Sequence, residues 1–306
     1  MAKTKTLQVD ILIITYNQEN YIAEAIESAL KQTYENCRVI VADDCSTDST
    51  RQIIDRYQKL APNKLIKVYN EKNVGITANC NAGFKAVTGD YFVIMGGDDV
   101  LYPNKVEEQL KWFGENSDKI LCGHNLDLID ESSIHFGTYN TLSKKPGKGA
   151  FQWIELGMLQ GCMSIMIKLD TKKEIAFDER LIYTSDLKFF IDFLGIEGKY
   201  GFSEEYLGAY RKTETSITAS KWDACVRDAA MMYDILKIEG PASFQKFIKR
   251  GKGYVVDYGI ALRNFNKKEY KRSFNEFIKI ICKDVTFLKA YLRLAQVTVA
   301  LLIGKK

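Results

Sequence analysis

Proline, histidine and long apolar runs are scarce in this chain of 306 residues, which contains four prolines and two histidines. So few prolines argue against proline-rich tails and disordered linkers, and two histidines cannot supply a histidine-rich metal cluster. No stretch approaches the ~20 apolar residues that a membrane-spanning helix requires. Because no long apolar segment follows the basic N-terminus, we also expect no signal peptide.

Cysteine pairing is also absent from the pattern, because the seven cysteines are scattered, odd in number and form no C-x-x-C motif. This arrangement disfavours a disulfide framework or a zinc site and is typical of a protein in a reducing cytoplasm. Hydrophobic residues make up 46% of the chain, which is an ordinary share for a packed globular protein.

Net charge is +4, and it is unevenly distributed. Acidic residues exceed basic ones by three in each of residues 1–120 and 121–220, whereas basic residues exceed acidic ones by ten in residues 221–306. We therefore expect residues 221–306 to form a separate basic unit that faces something anionic. No nucleic-acid-binding motif accompanies this charge, so nucleic acid is not a predicted partner.

Residues 285–303 are the most apolar part of the basic region, and Lys289 and Arg293 lie four residues apart on one helix face. Coinciding apolarity and positive charge favour a helix that lies in the surface of an anionic membrane. The alternative is a helix that packs against the rest of the chain or against a second copy of it.

Four short apolar segments alternate with segments of helical spacing in the first hundred residues. This alternation predicts an α/β fold with a doubly wound, mostly parallel sheet, in which ligands bind beyond the carboxyl ends of the strands. The predicted strands are 9–14, 37–42, 65–69 and 90–95, and the predicted helices are 20–33, a segment ending at Leu60, and 77–87.

Residues 101–220 are predicted to be mixed, and the pattern becomes helical from about residue 222 onward. Periodicity and charge therefore both predict a doubly wound domain over residues 1–220 and a helical appendage over residues 221–306. In the mixed region helices are predicted at 104–113 and 151–159, and strands at 119–128 and 161–168.

Polar residues follow three of the predicted strands, as Thr15-Tyr16-Asn17, Asp43-Asp44-Cys45-Ser46 and Gly96-Gly97-Asp98-Asp99. The first two groups could be an ordinary turn and a helix cap. The last pair of carboxylates repel each other unless a positive group lies close, and Mg²⁺ or Mn²⁺ binds such oxygens together with substrate phosphates. The alternative for this pair is a solvated acidic turn.

Two long segments resemble the family 2 nucleotide-sugar glycosyltransferases of the GT-A fold: VDILIITYNQENYIAEAIESALKQTYENCRVIVADDCSTDST and NEKNVGITANCNAGFKAVTGDYFVIMGGDDVLYPNKVEEQL. The resemblance covers about residues 7–215 and is carried by four separated motifs in the expected order. It implies a metal-dependent enzyme that transfers a sugar with inversion. Its nucleotide-sugar half is expected at about 1–120 and its acceptor half at about 121–220.

The resemblance also implies which residues contact the nucleotide-sugar donor. Tyr16 matches an aromatic that stacks on the base, Asp44 matches an acid that accepts a hydrogen bond from a base N–H, and Asp98 matches a ribose or sugar contact. The complete set of matching donor positions is Thr15, Tyr16, Asn17, Asp44, Asn73, Gly75, Gly97, Asp98 and Arg211.

The metal motif matches at Asp99 and Asp98, so the resemblance implies Mn²⁺ or Mg²⁺ held between these carboxylates and the two phosphates. The chain departs from the family pattern at two positions. Gly97 stands where the motif has its first Asp, and Cys80 stands where the family often has Arg.

The segment FDERLIYTSDLKFFIDF resembles the family's catalytic stretch, and Asp186 matches the base that removes the proton of the acceptor hydroxyl. Ser185 stands where the family often has Glu. Asp186 also lies just inside a predicted helix that Thr184 or Ser185 would cap, so it could serve only the helix dipole. Asp178 and Asp192 are rival candidates for the base.

The segment AYRKTETSIT resembles a family segment that usually reads Tyr-Arg-x-His. Arg211 matches a diphosphate or substrate contact, and Thr213 occupies the His position. The alternative for Arg211 is a surface ion pair, which contributes little energy. The two histidines, His124 and His135, are predicted to be structural.

The resulting prediction is a glycosyltransferase that moves a sugar from a nucleotide diphosphate, with UDP as the expected nucleotide, to a saccharide or lipid-linked acceptor in surface glycan synthesis. We expect it in the cytoplasm, peripheral to the inner face of the membrane. A sugar nucleotidyltransferase is one alternative, although no Gly-rich basic loop follows the first strand. A degenerate binding or scaffold protein is the other, because of Gly97, Cys80 and Ser185.

Overall fold

The computed structural model describes residues 6–139, 145–159, 161–169, 174–213 and 221–303. The chain divides into two compact units. The first contains the residues up to Ala150 together with Met158–Ser216, and the second contains Phe151–Gly157 together with the residues from Ile217 onward. The sequence pattern assigns Phe151–Gly157 to the first domain, whereas the contacts group this segment with the helical unit.

The first unit is built on a mixed sheet that has ten strands among the described residues. They are β1 Val9–Thr15, β2 Cys37–Asp43, β3 Leu65–Tyr69, β4 Tyr91–Gly96, β5 Val100–Leu101, β6 Leu121–Ile129, β7 His135–Tyr139, β8 Gly147–Lys148, β9 Met166–Lys168 and β10 Lys199–Arg211. Their order in the sheet is β3-β2-β1-β4-β9-β6-β10-β5, with β7 beside β6 and β8 beside β10. Strands β1 to β4 pair in parallel, which confirms the predicted α/β fold with a mostly parallel doubly wound core.

Helices cover both faces of this sheet. They are α1 Ile22–Leu30, α2 Thr50–Leu60, α3 Ile76–Phe84, α4 Lys105–Glu115 and α6 Ser185–Leu194, with a 3₁₀ turn at Cys162–Ser164. Side chains alternate between the two faces of a strand, so Ile11 and Ile13 of β1 pack with Ile22 of α1 on one side. On the other side Leu12 lies against Gly83 of α3, where a Cβ would come within 2.4 Å of Leu12 Cδ1. The close approach of α3 to β1 therefore requires glycine at this position.

The second unit is helical, which confirms the predicted helical C-terminal region. Its larger helices enclose a small core of their own that includes Ala261, Phe277 and Val297. None of the helices in the described ranges combines the length and the apolarity that crossing a bilayer requires. The helices are α5 Phe151–Leu156, α7 Trp222–Glu239, α8 Gln245–Gly251, α9 Tyr258–Asn266, α10 Tyr270–Lys283 and α11 Leu288–Ile303, with a 3₁₀ turn at Ala242–Phe244 and a π-helical turn at Lys252–Asp257.

A lysine is buried in the core of the first unit. Lys105, at the start of α4, has no exposed surface, and its ammonium group donates to Gln109 Oε1. Burial lowers the pKa of Lys105 to about 7. Burial and the neighbouring Lys105 together hold the pKa of His124 well below its usual value. The core therefore contains a cationic site that destabilises the folded state at neutral and acidic pH.

Replacing Lys105 by methionine is expected to raise the melting temperature by about 5 °C at pH 7 and below. The pKa of this lysine is about 7 in the folded chain, against an ordinary value of 10.5. Between these two pH values the unfolded chain binds the extra proton, so the stability of the wild type increases with pH. The lowered pKa of Lys105 corresponds to a destabilisation of about 1.4 kcal/mol per pKa unit. This destabilisation exceeds the roughly 1–3 kcal/mol lost when Gln109 Oε1 is left unpaired.

Thermal unfolding followed by circular dichroism across this pH range would measure the difference. Lys111→Met is the matched control, because Lys111 lies on the same helix with an exposed side chain. The gain of Lys105→Met over wild type must shrink as the pH rises toward the pKa of a free lysine. A gain that is independent of pH, or a lower melting temperature at pH 7, would contradict the assignment.

Candidate active site

Three strand ends meet at one edge of the sheet. Thr15 at the end of β1 is in register with Asp43 of β2, and Ile14 is in register with Gly96 of β4. The chain continues this alignment past the strands, because the Asp44 amide donates to the Thr15 carbonyl at 3.1 Å. The structure therefore brings together the polar segments that follow these three strands.

The acidic pair is desolvated at this edge. Burial, and then the charge of Asp98, raise the pKa of Asp99 well above its usual value, and Asp99 is only 5% exposed. Burial also raises the pKa of Asp98. Hydrogen bonds, including one from the side-chain amide of Gln18, partly offset this rise. Two carboxylates in these surroundings are poorly solvated as anions, and a cation placed beside them would relieve both burial and repulsion. This arrangement does not fit a solvated acidic turn.

Unpartnered polar atoms lie against the same loop. Among the described residues, Thr15 Oγ1 and Gln18 Oε1 are buried without a hydrogen-bond partner. A Cβ built on Gly97 would lie 2.5 Å from Gln18 Oε1 and 3.0 Å from Thr15 Oγ1. Gly97, which departs from the first Asp of the family motif, is therefore packed against both oxygens, and Gln18 contributes polar atoms on this side of the loop. Gln18 was not among the site residues that the sequence predicted.

Gly96 has no room for a side chain, because its Cβ would lie 2.6 Å from Asp98 Oδ1 and 3.3 Å from Asp99 Oδ2. Gly96→Ala is therefore expected to displace the acidic pair and to weaken Mn²⁺ binding by at least ~10-fold, the usual effect of disturbing a ligand's support. Isothermal titration calorimetry with Mn²⁺ and a nucleotide diphosphate would measure this change. Gly114→Ala is the control, because nothing lies within 4 Å of a Cβ there. Equal affinities for the two variants would show that the acidic pair does not hold the metal.

Arg211, at the end of β10, supports the loop that contains Asp98 and Asp99. Its Nε donates to the Asp98 carbonyl at 2.7 Å, and its backbone amide donates to Asp99 Oδ1 at 3.1 Å. These two bonds join residues that are more than a hundred positions apart in the chain. They fix both the backbone and one carboxylate of the acidic pair.

The rest of the Arg211 guanidinium is also engaged by protein groups. One terminal nitrogen donates to the Asp130 carbonyl at 2.7 Å and to Ser133 Oγ at 3.0 Å, and the other donates to Glu24 Oε2 at 2.6 Å. The guanidinium also lies 4.9 Å from the centre of the Tyr21 ring. Because the side chain has no exposed area, the surface ion pair considered for Arg211 is wrong. The geometry supports a positioning role rather than the predicted contact with a diphosphate.

The expected nucleotide-binding residues lie on neighbouring loops. Tyr16 is 46% exposed, as a ring that stacks on a base requires. Asn17 joins the loops after β1 and β2, because its amide donates to Ser46 Oγ and its Oδ1 accepts from the Thr47 amide, both at 2.8 Å. Asn17 therefore shapes this surface, and its contact with a nucleotide stays a prediction.

Asp44 supports the loop that contains the other two predicted donor residues. Its carboxylate accepts from the Val74 and Gly75 amides at 2.8 Å each and from Asn70 Nδ2 at 3.0 Å. Asn73 Nδ2 donates to the Asp44 carbonyl at 3.3 Å. Asp44, Asn73 and Gly75 thus form one unit, and their contact with a base or sugar stays a prediction.

Asp186 lies in the first turn of α6, where its Oδ1 accepts from the Leu187 amide at 2.7 Å. The predicted cap is wrong in one respect, because Thr184 occupies the N-cap position without a side-chain capping hydrogen bond. Ser185 is buried, with its Oγ 3.2 Å from Thr77 Oγ1 of α3. The start of α6 therefore lies beside the start of α3, next to the loop that Asp44 supports.

The Cys162 thiol responds to the charges of both Asp186 and Asp99. Burial raises the pKa of this thiol well above its usual value, and the charges of Asp186 and Asp99 and the Cys80 thiol raise it further. Burial and the charge of Asp186 also raise the pKa of Cys80 to about 12. Both thiols therefore stay protonated at neutral pH. The charges of Asp186 and Asp99 thus both act on the Cys162 thiol.

The rival acids have other partners. Asp178 pairs with Arg180 at 2.7 Å, and this ion pair lowers the pKa of Asp178. Asp192 pairs with Lys188 at 2.6 Å. Each of these carboxylates therefore has a cation on its own segment.

The histidines provide no metal cluster. His124 is buried with its Nδ1 2.6 Å from the Asn125 carbonyl oxygen, and His135 lies 3.2 Å from Asp127 Oδ1. Within the described ranges, no group of three or more His, Cys, Asp or Glu side chains converges as a metal site. A cation at the acidic pair would therefore need oxygens from a substrate to complete its coordination.

Comparison with known proteins gives a consistent result. The model of glycosyl transferase family 2 matches residues 10–171. An uncharacterized glycosyltransferase of Rickettsia typhi is 32% identical over 281 residues, which cover 85% of each chain. A glycosyltransferase of Bacillus subtilis, TuaG, whose name assigns it to teichuronic acid biosynthesis, is 25% identical and covers 81% of this chain and 96% of its own.

Solved structures share the fold. TarS of S. aureus, solved in complex with UDP-GlcNAc, has a TM-score of 0.65 at 19% identity, over 90% of this chain and 81% of that one. In a structure of a longer TarS chain, the match covers 91% of this chain and 49% of the TarS chain. Mannosyltransferase PcManGT from Pyrobaculum calidifontis, solved with GDP-Man and Mn²⁺, has a TM-score of 0.61 at 15% identity, over 97% of this chain and 81% of that one.

Proposed function

This chain belongs to glycosyl transferase family 2, and we propose that it transfers a sugar, with inversion, from a nucleotide diphosphate to a hydroxyl of a saccharide or lipid-linked acceptor. The observation that carries the proposal is the desolvated acidic pair at the edge where three strand ends meet, with the start of α6 beside the loop that Asp44 supports. A base and an anion-binding metal site must lie on the two sides of one sugar for such a transfer. We assign these two roles to Asp186 and to the acidic pair.

The proposed donor is a UDP-sugar. Its base would stack on the exposed Tyr16 ring, and its polar edge would meet Asp44, whose position matches the family's base-contacting acid. The complex of TarS with UDP-GlcNAc supports a donor of this class. The loop of Asn73 and Gly75 would then lie beside the diphosphate and sugar.

The residues at the acidic pair fit a divalent cation. Asp99 and Asp98 would hold it, because both carboxylates are desolvated and the Thr15 and Gln18 oxygens beside them lack partners. The complex of PcManGT with Mn²⁺ supports Mn²⁺ or Mg²⁺ here. When bound, such a cation offsets the charge that develops on the diphosphate leaving group. Arg211 would keep the pair in place through its bonds to Asp98 and Asp99.

The transfer itself needs a base on the acceptor side. Asp186 would accept the proton of the acceptor hydroxyl while that oxygen forms a bond to the anomeric carbon. The bond from this carbon to the diphosphate breaks with its electron pair on the phosphate oxygen, which inverts the configuration. Asp186 lies in the first turn of α6, where the helix dipole interacts favourably with a carboxylate.

The proposed acceptor and compartment rest on the name of a relative and on the state of the cysteines. The name of TuaG supports a surface glycan as product. The seven cysteines are all free, which supports a reducing compartment. We therefore propose that the enzyme acts on the cytoplasmic side of the membrane, on a growing saccharide or its lipid-linked form.

Nucleotide release from a panel of UDP-, GDP- and TDP-sugars, with Mn²⁺ or with EDTA, would test the proposal. We expect release from one donor class that needs both Mn²⁺ and an acceptor, and the product should carry the opposite anomeric configuration. Pyrophosphate formed from a nucleoside triphosphate and a sugar phosphate would instead identify a nucleotidyltransferase. Tight donor binding without release under any of these conditions would identify a degenerate binding protein.

A further inference from the structure

Helix α11 has two apolar faces, and only one of them is buried. Ala290 and Val297 pack into the core of the helical unit with no exposed surface. The opposite face carries a series of aliphatic side chains spaced at one face of a helix. We call this face the α11 stripe, and its large members are Leu288, Leu292, Val299 and Leu302, with exposures of 74%, 69%, 54% and 66%.

The α11 stripe is longer than a chance cluster of exposed side chains. Its members recur after four, seven and three residues and so cover more than three turns of one helix. Val285 and Ile303, at the two ends, are also 67% and 69% exposed. A continuous apolar surface of this kind on a soluble protein marks a surface that binds something.

The surroundings of the stripe are basic. No acidic residue occurs between Val285 and Ile303, and the exposed Lys289 lies three residues before Leu292. Arg293 is partly buried and donates to Tyr258 Oη. Residues 221–303 as a whole contain sixteen Lys and Arg against eight Asp and Glu. A face with this charge would be repelled by the same face of a second copy and attracted by an anionic surface.

A basic cavity of about 1020 Å³ in the same unit ends at Thr286, just before α11. Three aspartates in its wall are paired, as Asp234 with Lys252, Asp257 with Lys283 and Asp284 with Arg250. Its remaining basic side chains have no carboxylate partner in the described part of the chain, and they are Lys237, Lys246 and Lys249. Positive charge therefore continues from the stripe into the helices before it.

We propose that the α11 stripe inserts into the headgroup region of an anionic lipid bilayer, with α11 lying in the plane of the membrane. The sixteen residues of α11 extend about 24 Å, which is less than the ~30 Å apolar thickness of a bilayer. The helix therefore matches the surface position of an amphipathic anchor, in which aliphatic side chains enter the lipid and lysines stay with the phosphates. This inference does not depend on the proposed reaction.

Co-sedimentation of the full chain with lipid vesicles would test the inference. We expect binding to vesicles of phosphatidylcholine mixed with phosphatidylglycerol, weaker binding to phosphatidylcholine alone, and weaker binding at high salt. The double variant Leu292→Glu/Val299→Glu should lower the affinity at least ~10-fold, since it puts two charges into the apolar layer. Lys289→Gln should lower it about 5-fold, as expected for one basic residue near an anionic surface.

Leu60→Glu is the matched control, because Leu60 is 74% exposed on α2 of the first unit, outside the basic region. Its vesicle binding should equal that of the wild type, and circular dichroism should show that all variants are folded. Two results would overturn the inference: absence of binding to anionic vesicles, or binding that the double variant retains. A concentration-dependent dimer in analytical ultracentrifugation that Leu292→Glu abolishes would also overturn it, since a second copy would then cover the stripe.

Discussion

Replacing Asp99 by asparagine is expected to abolish Mn²⁺-dependent nucleotide release, with a loss of at least ~1000-fold in kcat/KM if the metal contributes several kcal/mol to the transition state. The change is nearly isosteric, and the new amide oxygen can still accept from the Arg211 backbone amide, as Asp99 Oδ1 does at 3.1 Å. What the variant loses is the negative charge. Nucleotide release with Mn²⁺ and with EDTA measures the effect directly.

The same variant is expected to be more stable than the wild type. Burial and Asp98 raise the pKa of Asp99 well above its ordinary value of 3.8 in the folded state. The unfolded chain therefore releases this proton at lower pH, and the stability of the wild type falls as the pH rises from 3.8 toward the raised pKa. Asparagine has no charge to desolvate, so its melting temperature at neutral pH should be higher. A function that is lost while stability increases is the signature of a binding site rather than of a structural ion.

Asp118→Asn is the control for both measurements, because Asp118 is exposed and pairs with Lys119 and Lys199 away from the sheet edge. Mn²⁺ with a nucleotide diphosphate should raise the melting temperature of the wild type and of this control but not that of Asp99→Asn. Metal-dependent turnover in Asp99→Asn would show that the cation is not held by this carboxylate, and the metal assignment would have to be withdrawn.

The parallel core of the fold follows from the sequence because its signals are local. Each of the first four strands is an apolar run between turn residues, and the strand predicted at 65–69 coincides with β3. Since parallel strands end at the same edge, the polar residues that follow them are expected to lie together. The convergence of Thr15, Asp44 and Asp99 required no information beyond these runs.

The mixed half of the sheet was harder to predict. Strand β10 is 13 residues long and was missed, because Ser203, Glu204 and Glu205 interrupt its apolar pattern where the pairing with β6 shifts register. The strand predicted at 161–168 is in fact a 3₁₀ turn followed by Met166–Lys168. Bulges and short turns are set by neighbouring strands rather than by periodicity.

The support of the site depends on contacts between distant segments. Arg211 reaches Asp98 across 113 positions and Glu24 across 187, and no local pattern reports these bonds. In the sequence, Gln18 is noticeable only as part of a loop that lacks glycine. In the structure its side-chain Oε1 occupies the space that a side chain at position 97 would need. Sequence motifs therefore identify the groups that meet a substrate, whereas the groups that hold them in place emerge only from the fold.

Asp186→Asn is expected to stop sugar transfer while donor binding stays intact, with kcat reduced about 100- to 10,000-fold, the usual contribution of a general base. The amide keeps the size of the carboxylate, and its oxygen can still accept from the Leu187 amide, so α6 should fold as before. Single-turnover transfer measures the chemical step, and calorimetry with Mn²⁺ and the donor measures binding. A fall in donor affinity comparable to the fall in kcat would show that Asp186 contacts the donor instead.

Variants of two neighbouring acids, Asp178 and Asp192, show whether the loss of transfer is specific to Asp186. Asp178→Asn and Asp192→Asn each remove a negative charge from the same segment, but both carboxylates are paired, with Arg180 and Lys188. Neither variant should reduce kcat by more than a few fold, because each carboxylate is held by a cation of its own segment and is not expected to accept the acceptor proton. If Asp178→Asn instead stopped transfer while Asp186→Asn turned over normally, the base would be Asp178, and the acceptor would approach the sugar from the loop before α6. The metal-binding role proposed for Asp99 would be unaffected by that result, because the proposed transfer puts the base and the metal on opposite sides of the anomeric carbon.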